Sequence, residues 1–135
     1  MRIMALDYGD QRIGIAMTDL LQMIASPYDI YYRKHTEEDF DYFFNLIKSQ
    51  QVETIVVGLP LNPEGEEQEI AGKVREFGEK LKNLSNCKLI YWDERMSSVI
   101  ADEILRKTEK DWKKRKAQLD KYAAMVILQD YLDYN

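Results

Sequence analysis

The chain contains one cysteine, one histidine and only three prolines among its 135 residues. A single Cys87 cannot close an internal disulfide and has no Cys or His near it at metal-ligand spacing, so a disulfide framework and a cysteine-rich zinc site are both excluded. That usage fits a reducing compartment, and Cys87 reads as a packing residue. His35 stands alone in a polar connector, so neither a Ser-His-Asp triad nor a histidine-rich zinc site can be assembled. No apolar run approaches the roughly 18 residues of a membrane span, and the first residues lack the basic, apolar and small-residue segments of a secretory leader. The expected location is the cytoplasm, with no membrane partner. Positive charge is not in excess either. The formal net charge of −5 argues against indiscriminate nucleic-acid binding while leaving room for a local basic surface.

What is present is the composition of an ordinary globular protein, 45% apolar and 32% charged. The length fits a single domain over residues 1–135, large enough to bury roughly two thirds of the surface its unfolded chain would expose. RIMALD at 2–7 and RIGIAMTD at 12–19 predict two strands joined by a short turn with Gly9 and Asp10, a hairpin. A weaker third strand spans 24–32, where Pro27 removes a ladder donor and favours an edge or bulge. From Thr36, Phe40, Phe43, Phe44 and Ile47 define one helical face behind an N-cap and acidic first turn. VETIVVGLP at 52–60 reads as a central strand. A helix over about 66–83 follows, then a strand at 88–94, a helix at 97–107 with a serine cap, a charged connector (108–116) and a terminal helix (117–134). Three leading strands followed by alternating strands and helices imply an α/β fold: a mixed sheet with helices on its faces, whose functional residues lie at strand ends.

Alternation puts Ile3, Ala5 and Asp7 on one face of the first strand, so Asp7 ends a buried column. A carboxylate there needs a partner, a metal ion or water; a turn aspartate bonded to the following amides is the plain alternative. In the terminal helix Asp120 precedes Ala123 and Ala124 by three and four residues and shares their apolar stripe with Ile127, Leu128 and Tyr131, so it faces the sheet. The alternative there is an acid that merely complements the helix dipole. YWDERMSS presents Asp93 and Glu94 in succession; at most one shares Asp7's face by alternation, and a salt bridge to Arg95 competes. Together these acids form a convergent cluster suited to hard cations, Mg²⁺ or Mn²⁺, and two such ions about 4 Å apart hydrolyse phosphodiesters. Gly9 and Gly14 have the spacing of a P-loop, but Ile15 and Ala16 stand where Lys and Ser/Thr are required. VGLPLNPEG either offers amides to a phosphate or is an ordinary turn. Basic residues concentrate at 106–121, including Lys113, Lys114, Arg115 and Lys116 around Trp112. This reads as a phosphate-binding flap with a stacking platform, against the alternative of a solvated face.

LDYGDQRIGIAMTD, IVVGLPLNPEG, DERMSS with the following ADEIL, and KKRKAQLDKYAAMVILQDYL resemble, in order and spacing, the successive motifs of the YqgF/RuvX family within the RNase H-like superfamily. The resemblance spans nearly the whole chain. It implies an RNase H-like five-stranded mixed sheet whose first three strands are antiparallel, and a metal-dependent nuclease; members are described as Holliday-junction resolvases and as nucleases maturing pre-16S ribosomal RNA. It places the catalytic acids at Asp7, Asp93, Glu94 and Asp120, with Asp7, Glu94 and Asp120 holding the ions and Asp93 as substitute for Glu94. Arg12 and Arg95 become nucleic-acid contacts beside Lys113, Lys114, Arg115 and Lys116. Gln11 stands where the family often has Lys, and Ser97 and Ser98 where it commonly has threonines.

The leading expectation is therefore an endonuclease using Mg²⁺ or Mn²⁺, two ions in all, on structured nucleic acid, processing the 5′ end of pre-16S rRNA, with ribosomal particles among its partners. The alternatives are a Holliday-junction resolvase, a non-catalytic RNA-binding ribosome-assembly factor, and an ATP-binding module with a DxG turn, for which the chain is too short. Monomer and homodimer both stay open, since no exposed apolar face is identifiable from the residues alone.

Overall fold

The computed structural model describes residues 1–134. Five strands, β1 (Arg2–Tyr8), β2 (Arg12–Thr18), β3 (Ala25–Tyr32), β4 (Val52–Leu59) and β5 (Lys88–Asp93), form one sheet in the order β3-β2-β1-β4-β5. β1, β2 and β3 pair antiparallel, whereas β4 runs parallel to both β1 and β5. This is the mixed sheet with three antiparallel leading strands anticipated above. The parallel arrangement brings the carboxyl ends of β1, β4 and β5 to one edge of the sheet. Pro27 sits on edge strand β3 where the β2–β3 register shifts, between the Ile15↔Asp29 and Ala16↔Pro27 pairs, as its missing N–H requires.

Helices α1 (Glu37–Ser49) and α2 (Glu69–Ser85) cover one face. There Met4, Leu6, Ile13, Ile15, Ile55 and Val57 meet Phe43, Val74, Phe77 and Leu81 in the larger core. The Thr36 hydroxyl caps α1 by accepting from the Glu38 amide at 3.2 Å. α3 (Ser97–Arg106) and α4 (Trp112–Asp133) occupy the other side, α4 lying directly on the sheet and α3 packing on α4. The residues beneath α4 are small: Ala5, Ala16 and Ala25 with Ile3 and Val56, against Ala124, Ile127, Leu128 and Tyr131. Small side chains on both surfaces let the helix backbone approach the strands closely. No helix among the described residues is long and apolar enough to cross a membrane.

Three helix starts differ from expectation. α2 begins at Glu69 rather than near residue 66. Met96, not a serine, occupies the N-cap of α3, and the Ser97 hydroxyl instead donates to the Glu94 carbonyl at 3.0 Å. More consequentially, α4 begins at Trp112, so most of the charged connector is helix. Asp111 is the reason: its carboxylate accepts from the Lys113 amide at 2.9 Å, and the lysines and arginine that follow are good helix formers once capped. The basic residues thus ride on a rigid rod continuous with Asp120.

Replacing Asp111 with alanine is expected to cost about 1 kcal/mol of stability, the usual value of an N-cap. It should also speed amide exchange selectively over residues 112–116; unchanged exchange there would show that the cap does not start the helix.

Candidate active site

Tyr8 ends β1, and its hydroxyl accepts from Arg33 Nη1 at 2.8 Å while the Arg33 guanidinium lies 5.0 Å over its ring. Arg33 is in turn held by Asp39 at 3.2 Å, a carboxylate that also accepts from Tyr31 and from the Lys34 and His35 amides. The strand end that carries Asp7 is therefore fixed from the opposite face of the sheet.

Asp7 follows Ile3 and Ala5 onto the α4 face. On β5 the same face takes Ile90 and Trp92, so continued alternation turns Glu94 toward Asp7 and Asp93 away from it. Glu94 and Asp7 hydrogen-bond to each other through their side chains. To meet, they must cross β4, which lies between β1 and β5. The crossing point is Gly58, paired with Trp92 on β5 and one residue beyond the Leu6↔Val57 pair on β1. A Cβ on Gly58 would stand 2.6 Å from Glu94 Oε2 and 2.6 Å from Ile127 Cδ1. A side chain there would push the Glu94 carboxyl and the Ile127 methyl out of the positions they hold over β4. On the other flank of β1, Asp7 pairs with Gly14 of β2, and a Cβ there would collide with the Asp120 carbonyl and the Lys121 amide of α4. The helix backbone rests on the strand at this position and places Asp120 above Asp7.

The electrostatics follow from that convergence. Desolvation pushes the Asp7 carboxyl up, and the nearby Asp120 charge adds to it, while the hydrogen bond from Glu94 opposes. Glu94 is raised further, first by desolvation and then by the Asp7 charge, up to about 9. Two carboxylates this close in a desolvated cleft cannot both stay charged without a compensating cation, so near neutrality they share a proton. Asp120 instead accepts from Arg12 Nε at 2.8 Å. Asp93 is engaged elsewhere: it takes the Arg95 guanidinium at 2.8 Å and the Arg95 amide at 3.0 Å, which hold it below the usual carboxylate range. Arg95 Nη1 reaches on to the Pro63 carbonyl at 3.1 Å and so ties down the loop 60–68. Of the basic residues on α4, Lys113, Lys114 and Lys116 are exposed, as is Trp112. Arg115 turns inward, donating to the Glu109 and Lys110 carbonyls at 3.2 and 2.9 Å and facing Asp102 at 3.5 Å.

As they stand, no three acidic, histidine or cysteine side chains among the described residues form a ready metal cluster. The donor set nonetheless fits a hard divalent ion, because the oxygens of Asp7 and Glu94 are brought together at the cost of like-charge repulsion and Asp120 is at hand, released by a turn away from Arg12.

The sequence profile of the RuvX family, described as Holliday junction resolvase, matches residues 1–134. The chain belongs to the RuvX family. Among its curated relatives, one from Halothermothrix orenii is 44% identical over 134 residues, covering 99% of this chain and 96% of the relative, and bears the name "Putative pre-16S rRNA nuclease". A relative of the same name from Syntrophomonas wolfei is 42% identical over 133 residues, covering 98% of this chain and 94% of its own. Among solved structures, this RuvX-family chain resembles T. thermophilus RuvC in complex with a Holliday junction substrate, with TM-score 0.59 and 12% identity over 99% of this chain and 95% of that one. It also resembles the Fowlpox virus resolvase in its junction complex, with TM-score 0.61 and 12% identity over 99% and 98% of the two chains. At such identities the likeness concerns the fold, the RNase H-like sheet expected above.

Sequence reasoning passed over Gly58 and weighed Gly14 only as a P-loop glycine. Glycine inside a strand signals a close approach, but what approaches comes from β5 and α4 and is visible only in three dimensions.

The raised carboxyls fix the sign of a pH effect. The folded protein holds protons that the unfolded chain releases above the ordinary carboxylate range, so with a chelator present stability should fall as pH rises from about 4 towards about 9. Chemical unfolding across that range should show this decline for the wild type and a shallower one for Asp7→Asn. A stability that climbs over the same range would contradict the shared-proton description.

Proposed function

We propose that the chain is a metal-dependent endonuclease that hydrolyses phosphodiester bonds in structured nucleic acid, with the precursor of 16S rRNA as substrate and trimming of its 5′ end as outcome. The observation that carries this reading is the meeting of Glu94 with Asp7 across Gly58, beneath Asp120, at the carboxyl ends of parallel strands. Asp7, Glu94 and Asp120 are the residues that would hold Mg²⁺ or Mn²⁺, two ions in the full site, with Asp93 supporting them through its clamp on Arg95. A divalent ion bound there supplies charge neutralisation at the phosphate and a more acidic water for attack.

The remaining work falls to the chain itself. Arg12, half exposed beside Asp120, can donate to a phosphate oxygen as Asp120 turns inward, so arrival of substrate and completion of the carboxylate set become linked. Lys113, Lys114 and Lys116 lie along the exposed start of α4 and attract the phosphate backbone without reading sequence. Trp112, 60% exposed at the head of that helix, offers a face for a base. Arg95 and Arg115 are committed to Asp93 and to the α3–α4 turn, and their part is to hold the loop and the helix in place. Ribosomal particles in the cytoplasm are the carriers of such a substrate. The names of the relatives support ribosomal RNA; the family description supports a four-way DNA junction as the second reading.

Cleavage of pre-16S rRNA and of a four-way junction should be compared with Mg²⁺ and Mn²⁺ at one salt concentration. The expected result is metal-dependent cleavage of the RNA, lost in Asp7→Asn with its circular dichroism and melting intact. Full activity of that variant would overturn the assignment, preferential junction cleavage would favour the second reading, and metal-independent binding without cleavage of either would mark a non-catalytic assembly factor.

A further inference from the structure

Beside the carboxylates, the surface between the loop 60–68, α3 and α4 opens into a cleft of about 640 Å³ with Glu94 in its wall. Its sides are largely apolar: Pro63 from the loop, Met96 and Ile100 at the start of α3, and Val126 from α4. Met96 and Ile100 are 58% and 41% exposed, so this apolar surface stands open to water next to the carboxylates. Its charged groups are Asp93, Glu94 and Asp130 against Arg95 alone, and Arg95 is already paired with Asp93. A phosphate is repelled from such a lining. Asp130 accepts from Trp92 Nε1 at 2.7 Å through one oxygen and keeps its other lone pairs for a further donor.

α4 divides the same way along its length. Lys113, Lys114, Lys116 and Lys121 occupy its first half, Asp130 and Asp133 its second. A nucleic-acid strand crossing the helix at Asp120 would lay its phosphates against the first half. What it could place against the second is flat, uncharged, apolar on its faces and furnished with N–H donors on its edge, which is the description of a nucleobase.

We propose that this cleft receives one unpaired base from a nucleotide flanking the scissile phosphate, and that the protein thereby selects cleavage sites whose strand is single or splayed open. A paired base cannot enter, since its edge and faces are occupied in the duplex. The inference rests on Asp7, Glu94 and Asp120 being the place of cleavage, but base capture itself can be read without any cut being made.

The test measures binding of a short RNA by fluorescence anisotropy in the presence of a chelator, at fixed salt. The RNA is used single-stranded, annealed to its complement, and single-stranded with an abasic site stepped through each position. The single strand is expected to bind about tenfold more tightly than the duplex, and one abasic position to cost about tenfold, the usual worth of a stacked base. Val126→Phe, which puts a ring into the space a base would occupy, should abolish both differences; Ile100→Asp, on the exposed side of α3, serves the same purpose if the first variant does not fold. Equal binding of duplex and single strand, neutrality of every abasic position, persistence of the differences in the blocked variant, or no RNA binding at all would each overturn the proposal. Base-dependent binding with no metal-dependent cleavage would instead overturn the nuclease reading and leave the cleft's role standing. Cleavage that ignores the base would do the reverse.

Discussion

Everything at this site depends on the absence of two Cβ atoms. Asp7 lies on a central strand with β2 on one side and β4 on the other, and an acid arriving from either direction must pass over a neighbouring strand. Gly58 clears the path for the Glu94 side chain, and Gly14 clears the seat for the α4 backbone that carries Asp120. The alanines around them extend the same logic, since Ala5, Ala16 and Ala124 thin the layer between sheet and helix until backbone meets backbone. Packing density in this half of the protein is spent on proximity between carboxylates. The opposite half, filled by Phe43, Phe77, Leu6 and Ile55, holds the sheet in shape.

Proximity of that kind is electrostatically unfavourable, and the surrounding groups show how it is tolerated. Asp7 and Glu94 share a proton, Asp120 is neutralised by Arg12, and Asp93 by Arg95. The compensations differ in how tightly they hold their residues. Arg12 is 49% exposed and Asp120 26%, so the Arg12 guanidinium can exchange Asp120 for a phosphate at little cost. The Arg95 pair is braced against the Pro63 carbonyl and holds the loop that borders the cleft. A cation entering among the acids would replace the shared proton and draw Asp120 inward, which couples ion binding to proton release.

Much of this was legible in the residues. Strand alternation alone put Asp7 on an inner face, and the apolar stripe of Ala123, Ala124, Ile127, Leu128 and Tyr131, all buried in the fold, put Asp120 toward the sheet. The order of elements, three strands and then alternating strands and helices, led to the mixed sheet. Other features depended on tertiary contacts. Which of Asp93 and Glu94 turns inward rests on how far β5 stays regular, and its continuation past Trp92 is fixed by pairing with β4. The run at 112–116 read as a charged, phosphate-binding connector because its charge masks a capped helix, and Arg115 read as a nucleic-acid contact although backbone carbonyls of the α3–α4 turn hold it inward. Gly58 read only as part of a central strand, because the side chain that needs its space, Glu94, follows the end of β5, far along the chain.

The claim that backbone space at Gly58 creates the cation site can be met with a single measurement, Mn²⁺ binding by titration calorimetry to the wild type and to Gly58→Ala at one pH and salt concentration, with melting followed in parallel. The account predicts that the variant stays folded and loses about tenfold or more in affinity, because Glu94 is displaced from Asp7. Mn²⁺ affinity equal to the wild type in a folded Gly58→Ala protein would contradict it.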